Sequence, residues 1–402
     1  MVFFVQDLGI KALTQHILSS FAKLLVLIEL GFPFTIGTPV GPVGRFRALA
    51  RSARFPRRSA KHLAARTAVT LGWPIGALWR SIAEYKVMRQ DAGAPLARGT
   101  FNDMLWRALR HGVPPLEYRL YRMCPGDGRD TDLVYWNDGP GLAALSRARG
   151  ANIADVEDKA RFARIARDQG LPHIATLAHF TNGAQLFPDA PFVPDQPGLW
   201  IKSNIGRGGG ARWIFCDGMY HDAVGRRLTP PALAEELLKT QCIVQPLMQN
   251  HPAITALGTE ALATLRLVTG MNAAGDAVII AGFLVLGRSN HLTTVNGVIC
   301  GLDEAAGRIT RAIAADGTPM EAHPDSGMRL ADTEIPFFHD SVALVLRAHQ
   351  SGWPRFLFLG WDVAITAEGP VLVETNVGWG AMYHQLLDGP MTRFAQLVDA
   401  HV

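Results

Sequence analysis

The feature that most constrains this chain is residues 356–376, Phe-Leu-Phe-Leu-Gly-Trp-Asp-Val-Ala-Ile-Thr-Ala-Glu-Gly-Pro-Val-Leu-Val-Glu-Thr-Asn, two apolar runs around a Thr-Ala-Glu-Gly-Pro break. The pattern predicts a β-hairpin. With the turn centred on Glu368, Asp362 falls directly opposite Glu374, and Asn376 shares Glu374's face because strand side chains alternate. Like charges opposed across a strand pair are destabilising, so this register calls for a cation between them. An oxygen-only set of Asp362, Glu374 and Asn376 suits Mg²⁺, with Mn²⁺ as a substitute, rather than zinc. A register one residue away would instead leave both acids at a wet edge.

Charge is distributed unevenly. From Leu30 to Ala83 there is no acidic residue, while Arg45, Arg47, Arg51, Arg54, Arg57, Arg58, Lys61 and Arg66 crowd together. Ahead of them Leu13, Ile17, Phe21, Leu24 and Ile28 recur at the spacing of one helix face. One reading is a surface that makes peripheral contact with an anionic membrane. The other is a helical domain that packs its own apolar stripe and leaves the arginines solvated. No base-reading motif accompanies them, so no nucleic-acid partner is expected.

Lys23 and Glu29 interrupt the best apolar run before it reaches the roughly 20 residues of a membrane span. The first residues lack the basic start and small-residue cleavage site of a signal peptide. Cys124, Cys216, Cys242 and Cys300 are scattered without paired spacing, which argues against a zinc site or disulfide framework. The expected location is therefore cytoplasmic, at the inner membrane face if the first reading of the basic segment holds. At 402 residues, 48% hydrophobic, the chain has room for more than one core. We expect a mainly helical region over 1–130 and two α/β lobes over 131–248 and 249–402.

From Asp132 onward strands and helices alternate. Leu133 to Trp136 reads as a short strand. Asp155 is the expected N-cap of a helix ended by Gly170 and Pro172, which places Lys159 just inside a helix start. Leu199 to Phe215 is a hairpin whose tip carries Gly206, Gly208, Gly209 and Gly210, with Lys202 on the strand before it. Such a tip lets backbone N–H groups approach phosphate oxygens, although a plain mobile turn has the same composition. Lysine usage favours the first reading, because Lys159, Lys202 and Lys239 are the only lysines beyond residue 100. A crowded phosphate site can prefer a compact ammonium to a guanidinium fork. Thr229 caps a helix with Pro230 in its first turn, and Cys242 to Met248 forms a strand that runs into Pro246. Thr264 to Thr269 and Ala277 to Leu286 form a further hairpin, with Arg266 mid-strand and Arg288 just beyond. A buried arginine needs an anion, either a structural carboxylate or a ligand phosphate. Another hairpin turns around Asp303 to Gly307, and Asp340 caps the last helix before residue 356.

Lys159, Lys202 before a glycine-rich hairpin, Thr264 to Thr269, and Asp362 with Glu374-Thr-Asn376, in that order, resemble an ATP-grasp enzyme. His251-Pro252, Gly360 to Ala364 and Gly369 to Glu374 are similar to the signature of the sugar-transfer-associated ATP-grasp group, itself like α-L-glutamate ligases. The likeness covers roughly residues 130 to 395. It implies an α+β, ATP-grasp fold in which two α/β lobes with antiparallel sheets sandwich ATP. It also implies that Lys159 and Lys202 hold phosphates under the loop Gly206 to Gly210, and that Val244, Gln245 and Leu247 meet adenine. Arg266, helped by Arg288, would steady the transferred phosphoryl group, with Mg²⁺ on Asp362, Glu374 and Asn376. Two departures from the family's usual residues, Gln245 and Asn296-Gly297-Val298, bear on the ribose contact and a substrate-side loop. The activity implied is an ATP-dependent carboxylate–amine ligase working through an acyl-phosphate on small molecules, an amino acid or a cell-surface saccharide precursor. A phosphotransferase or a nucleotide-binding module without ligase chemistry is the alternative.

Overall fold

The computed structural model describes residues 41–54, 60–91, 95–129, 132–205, 210–258, 261–288 and 297–401. The amphipathic stretch 8–30, Gly206 to Gly209 and Asn296 lie outside them, as do the side chains of Arg54, Arg57, Arg58, Lys61 and Arg66. The chain divides into two compact units, one running to Ala144 with Gly380–Gln385, the other comprising Leu145–Trp379 with Leu386–His401.

The first unit is helical, with α1 (Gly41–Arg54), α2 (Ala60–Asp91), α3 (Thr100–His111) and α4 (Pro115–Leu120). Val69, Trp73 and Ala77 of α2 bury against Ala108 of α3. Tyr118 and Arg107 both bond the Asp103 carboxylate, at 2.8 and 2.9 Å. Two arginines of the basic segment face inward, contrary to a wholly solvated or lipid-facing cluster. Arg47 is buried, donating to Asp138 at 3.3 Å and to the Leu133 carbonyl at 2.6 Å. Arg51, also buried, donates to the His111 carbonyl at 2.8 Å. Their partners are structural acceptors that the acid-free segment itself does not supply.

Leu133 to Trp136 is not a strand. A 3-10 turn, Trp136–Asp138, follows extended backbone, and the Gln385 side chain serves both Val134 backbone groups, accepting at 2.8 Å and donating at 2.7 Å. A side-chain amide thus satisfies groups that a neighbouring strand would otherwise have paired.

Helix α5 (Gly139–Ala148) precedes α6 (Ala154–Glu157) and α7 (Lys159–Asp168). The cap of the main helix is Asp158, whose side chain accepts from Arg161 N at 2.9 Å. Asp155 lies in the first turn of the short α6 instead, because the backbone turns extended at Asp158 and restarts.

Two antiparallel sheets follow. The first comprises β1 (Ala178–Thr181), β2 (Ala184–Phe187), β3 (Gly198–Ser203), β4 (Gly210–Cys216), β5 (Met219–Asp222), β6 (Arg227–Leu228) and β7 (Cys242–Pro246), ordered β2-β1-β7-β3-β4-β5-β6. Its covered face, with Leu199, Trp213, Tyr220 and Val244, packs on Leu233 and Leu237 of α8 (Pro230–Leu238), which Thr229 caps as expected. Alternation sends Trp200, Lys202 and Gln245 to the opposite face.

The second sheet is built from β8 (Thr264–Met271), β9 (Ala277–Leu286), β10 (Val298–Asp303), β11 (Arg308–Ile313), β12 (Pro319–Met320), β13 (Phe358–Thr366) and β14 (Gly369–Asn376), ordered β12-β11-β10-β9-β8-β13-β14. The short α9 (Pro252–Thr255) precedes it, and α10 (Phe338–Gly352) covers one face. Under that helix Trp361 Nε1 donates to Thr269 Oγ1, which bonds His349 Nδ1, both at 2.7 Å, and His349 Nε2 meets the Phe356 carbonyl at 2.9 Å. Burial pushes the His349 pKa down to about 4, so a neutral imidazole completes this network. Asp340 sits in the first turn of α10 rather than capping it. Phe337, in the left-handed region at φ 53°, holds the cap position. Helices α11 (Met382–Asp388) and α12 (Thr392–His401) end the described chain, and no described helix is long and apolar enough to cross a membrane.

Candidate nucleotide and metal site

The hairpin register puts the two acids opposite each other. Gly360, Trp361 and Asp362 pair with Asn376, Thr375 and Glu374. Beyond a bulge the register shifts by one, to Val363 with Leu372 and Thr366 with Gly369, so the turn comprises Ala367 and Glu368 rather than centring on Glu368. The extra residue, Val373, restores the pairing at the acid end. Bulges re-aim side chains where a sheet carries chemistry, and this one sits immediately beside Asp362.

On its other side Asp362 pairs with Arg266 of β8. Directly opposed residues share a face, so Arg266, Asp362 and Glu374 form one row across three strands, on the side away from Trp361 and Thr269. Arg266 Nη2 lies 3.3 Å from Asp362 Oδ2. Arg266 is not deeply buried as expected, its side chain being 41% exposed; α12 covers this face at Gly270 and Phe358, four residues along the strands from the Arg266–Asp362 pair. Its Nε is nonetheless buried without a hydrogen-bond partner, and so is Thr264 Oγ1 two residues earlier on the same strand. Such orphaned donors are rare in native interiors and point to an acceptor that binds there.

The lysines arrive from the other sheet. Lys202, at the end of β3, is buried at 8% exposure. The start of α7 is pinned to the same strand end, with Lys159 N donating to the Asn204 carbonyl at 3.1 Å and Ala160 N to Asn204 Oδ1 at 2.9 Å. Burial lowers the Lys202 pKa, Glu374 opposes that shift, Lys159 adds to it and Asp362 opposes it. Burial likewise raises Asp362 to about 6, with Arg266 pulling down, Glu374 pushing up and Lys202 pulling down. Lys202 is therefore within electrostatic reach of Lys159, Glu374 and Asp362, and Asp362 of Arg266 and Glu374, although they come from distant parts of the chain. The segment before β1 is tied to the same hairpin, Ile174 N donating to the Leu372 carbonyl at 3.0 Å and Leu372 N to Pro172 O at 2.9 Å.

Other expected residues are placed less directly. Arg288 lies 3.9 Å from Asp325, with its Nε buried and lacking a partner. Val244 is fully buried in the first core and its carbonyl accepts from Leu177 N at 2.8 Å, while Leu247 N donates to Gly198 O at 2.9 Å. Those backbone groups are used internally because β7 lies between β1 and β3, which narrows what the strand offers a nucleobase. Gln245 is buried and donates to the Ile174 carbonyl at 3.3 Å, tying β7 to the segment before β1. Gly210 is the described end of the glycine loop, and a Cβ there would run into the Trp200 indole.

Trp200 escaped the sequence reading. It stands on the open face one pair from Lys202 and opposite Gln245. Strand alternation from Lys202 was the signal that would have found it.

Two lysines, an arginine with an orphaned Nε, and two carboxylates with an amide suit a polyphosphate with a hard divalent cation. The residues present thus fit ATP and Mg²⁺. Among the described residues no group of three or more His, Cys, Asp or Glu side chains is placed to hold a metal.

No curated protein matches the chain. Among solved structures it is similar to an L-amino acid ligase from Bacillus licheniformis, at 10% identity and a TM-score of 0.39, over 65% of this chain and 53% of that one. It is also similar to a D-alanine–D-alanine ligase from Bacillus anthracis complexed with ATP, at 12% identity and a TM-score of 0.32, over 63% and 70%. The chain thus spans about half the length of the first. The model of the sugar-transfer associated ATP-grasp family matches residues 147–397, the segment that carries both sheets and the charged row, and the chain belongs to that family.

Proposed function

We propose that the protein is an ATP- and Mg²⁺-dependent ligase that joins a carboxylate to an amine through an acyl-phosphate. The observation that carries this reading is that Lys202 of one sheet lies within electrostatic reach of Lys159 at the start of α7 and of Asp362 and Glu374 in the other sheet, where Arg266 is paired with Asp362. Bringing an anionic carboxylate to a triphosphate requires cationic groups in a partly desolvated place, and this arrangement supplies them.

Lys202 and Lys159 hold the phosphates. Burial keeps Lys202 in position and makes its charge count for more than it would in water. Arg266, with one guanidinium nitrogen against Asp362 and Nε unused, is a donor for an oxygen of the transferred group. Asp362, Glu374 and Asn376 hold the magnesium, which when bound offsets phosphate charge. In the first half-reaction a carboxylate oxygen attacks the γ-phosphorus and the bond to the β-phosphate oxygen breaks, releasing ADP. In the second the amine nitrogen attacks the acyl carbon, the C–O bond to phosphate breaks, and the nitrogen loses a proton. The proposed substrates are an amino acid or a cell-surface saccharide precursor as the carboxylate, with a small amine as acceptor. Contact with anionic lipid through the N-terminal region is independent of this chemistry.

Incubation with ATP, Mg²⁺, hydroxylamine and a panel of amino acids and uronic acids tests the reading. Hydroxamate that depends on all components is the expected result. ATP consumed with phosphorylated hydroxyl products and no hydroxamate would assign a phosphotransferase. Nucleotide binding without turnover across the panel would assign a binding module.

A further inference from the structure

Helix α2 is apolar on two opposite sides. One side, Val69, Trp73 and Ala77, is buried against α3, where Trp73 Nε1 donates to the Ala108 carbonyl at 3.3 Å. The other carries Leu71, Ile75, Leu78, Trp79 and Ile82, exposed by 70, 73, 43, 70 and 39%. At about 100° per residue these five form one stripe roughly 160° round the helix from the packed side. Isolated exposed apolar residues are ordinary, but a contiguous stripe marks an interaction surface.

Charge decides the partner. The same face continues along the helix to Lys86 and Arg89, both exposed. Glu84 and Asp91, the acids of α2, fall on the packed side, where Arg119 holds Glu84 at 2.6 Å. The outward face therefore presents large apolar side chains, a tryptophan and then two cations, with no anion. A second copy of this face would offer Lys86 and Arg89 no counter-charge in either orientation, since it carries no acid. A surface with an apolar interior and a layer of negative charge complements it, and such a face lies in the plane of a bilayer interface rather than across it.

We propose that the outer face of α2 docks the protein onto an anionic phospholipid surface, with Leu71, Ile75, Leu78, Trp79 and Ile82 entering the interface and Lys86 and Arg89 meeting lipid phosphates. The contact uses no residue of the nucleotide site, so its failure leaves the ligase reading standing.

Flotation of the full-length protein with phosphatidylcholine vesicles, with and without phosphatidylglycerol, tests this at low and high salt. The expected result is binding that requires phosphatidylglycerol and weakens with salt. The triple variant Leu71→Asn, Ile75→Asn, Trp79→Asn should lose binding by about tenfold or more, since it removes the side chains that enter the interface. These residues are exposed, so its circular dichroism and melting temperature should match the parent's. If that variant unfolds, the pair Lys86→Gln, Arg89→Gln decides instead, by a flatter salt dependence with apolar contact retained. Undiminished binding in a folded triple variant would assign the lipid contact to another segment, such as residues 8–30, and overturn the proposal. So would a parent protein that ignores both vesicles, or one that self-associates through this face and whose triple variant is monomeric.

Discussion

Replacing Asp362 with asparagine separates what this residue does for stability from what it does for function. In the folded protein burial raises its pKa from the ordinary 3.8 to about 6, and Glu374 opposite adds to the rise, while Arg266 and Lys202 offset only part of it. A carboxyl whose folded pKa is raised binds more protons folded than unfolded between those values, so stability falls as pH climbs from about 4 through about 6. At about 1.36 kcal/mol per pH unit, the gap corresponds to roughly 3 kcal/mol of instability near pH 8, absent below pH 4. The side chain is only 12% exposed, so solvent screening takes little from this figure. Asp362→Asn removes the charge and keeps the shape, while the half-exposed Arg266 loses a partner that water can replace. The variant without nucleotide should therefore be more stable than the parent at pH 8, by about 2–3 kcal/mol in urea titrations, and indistinguishable at pH 4. It should also lose Mg²⁺-dependent ATP turnover by a large factor. Equal or lower stability at pH 8, with an unchanged urea slope, would refute the argument that this carboxylate is held in an unfavourable place for a ligand's sake.

Glu374→Gln should likewise abolish ATP turnover while leaving the melting curve of the ligand-free protein intact, read by ADP release and calorimetry; normal turnover would show that the row of charges is structural. Lys202→Met keeps the aliphatic stem and removes a charge that burial disfavours, so isothermal titration with a non-hydrolysable ATP analogue should show at least about tenfold weaker binding at undiminished stability. Glu117, buried against Trp136 N and Tyr121 with its pKa pushed up to about 8 from 4.5, should make the protein lose stability as pH rises between those values. Glu117→Gln should remove that slope and be the more stable form at pH 9 by up to about 5 kcal/mol, checked by melting curves across pH. Gly360→Ala would drive a methyl group into the Trp379 side chain beside Asn376, and should cost about 1–3 kcal/mol by urea titration and weaken Mg²⁺-dependent activity.

The apolar runs at 264–269, 277–286 and 356–376 were legible as hairpins because alternation and turn chemistry are local properties, and their order together with Lys159 and Lys202 carried the family. The pairing of Asp362 with Glu374 was legible too, even though the turn is one residue tighter than expected. The bulge that compensates is a property of two strands packed against α10, which no pattern along one strand encodes. Local capping misled where two candidates competed. Asp155 and Asp158 are both acids ahead of the same helix, and the choice depends on Asn204 anchoring the backbone after Asp158. Leu133 to Trp136 has strand composition, yet its hydrogen-bond partner is a side chain more than 200 residues away.

By itself, then, the sequence determined the residue types of the site, the strands that bear them and the faces they take, because alternation and propensity act over a few residues. Only the tertiary structure decided that Lys202 from one sheet comes within electrostatic reach of Glu374 and Asp362 from the other, that Arg266 is half-exposed against Asp362, and that Arg47 and Arg51 turn inward while the outer stripe of α2 is exposed. Each of these depends on burial and charge contributed by residues far apart in the chain, and those energies exist only once the sheets and helices have come together.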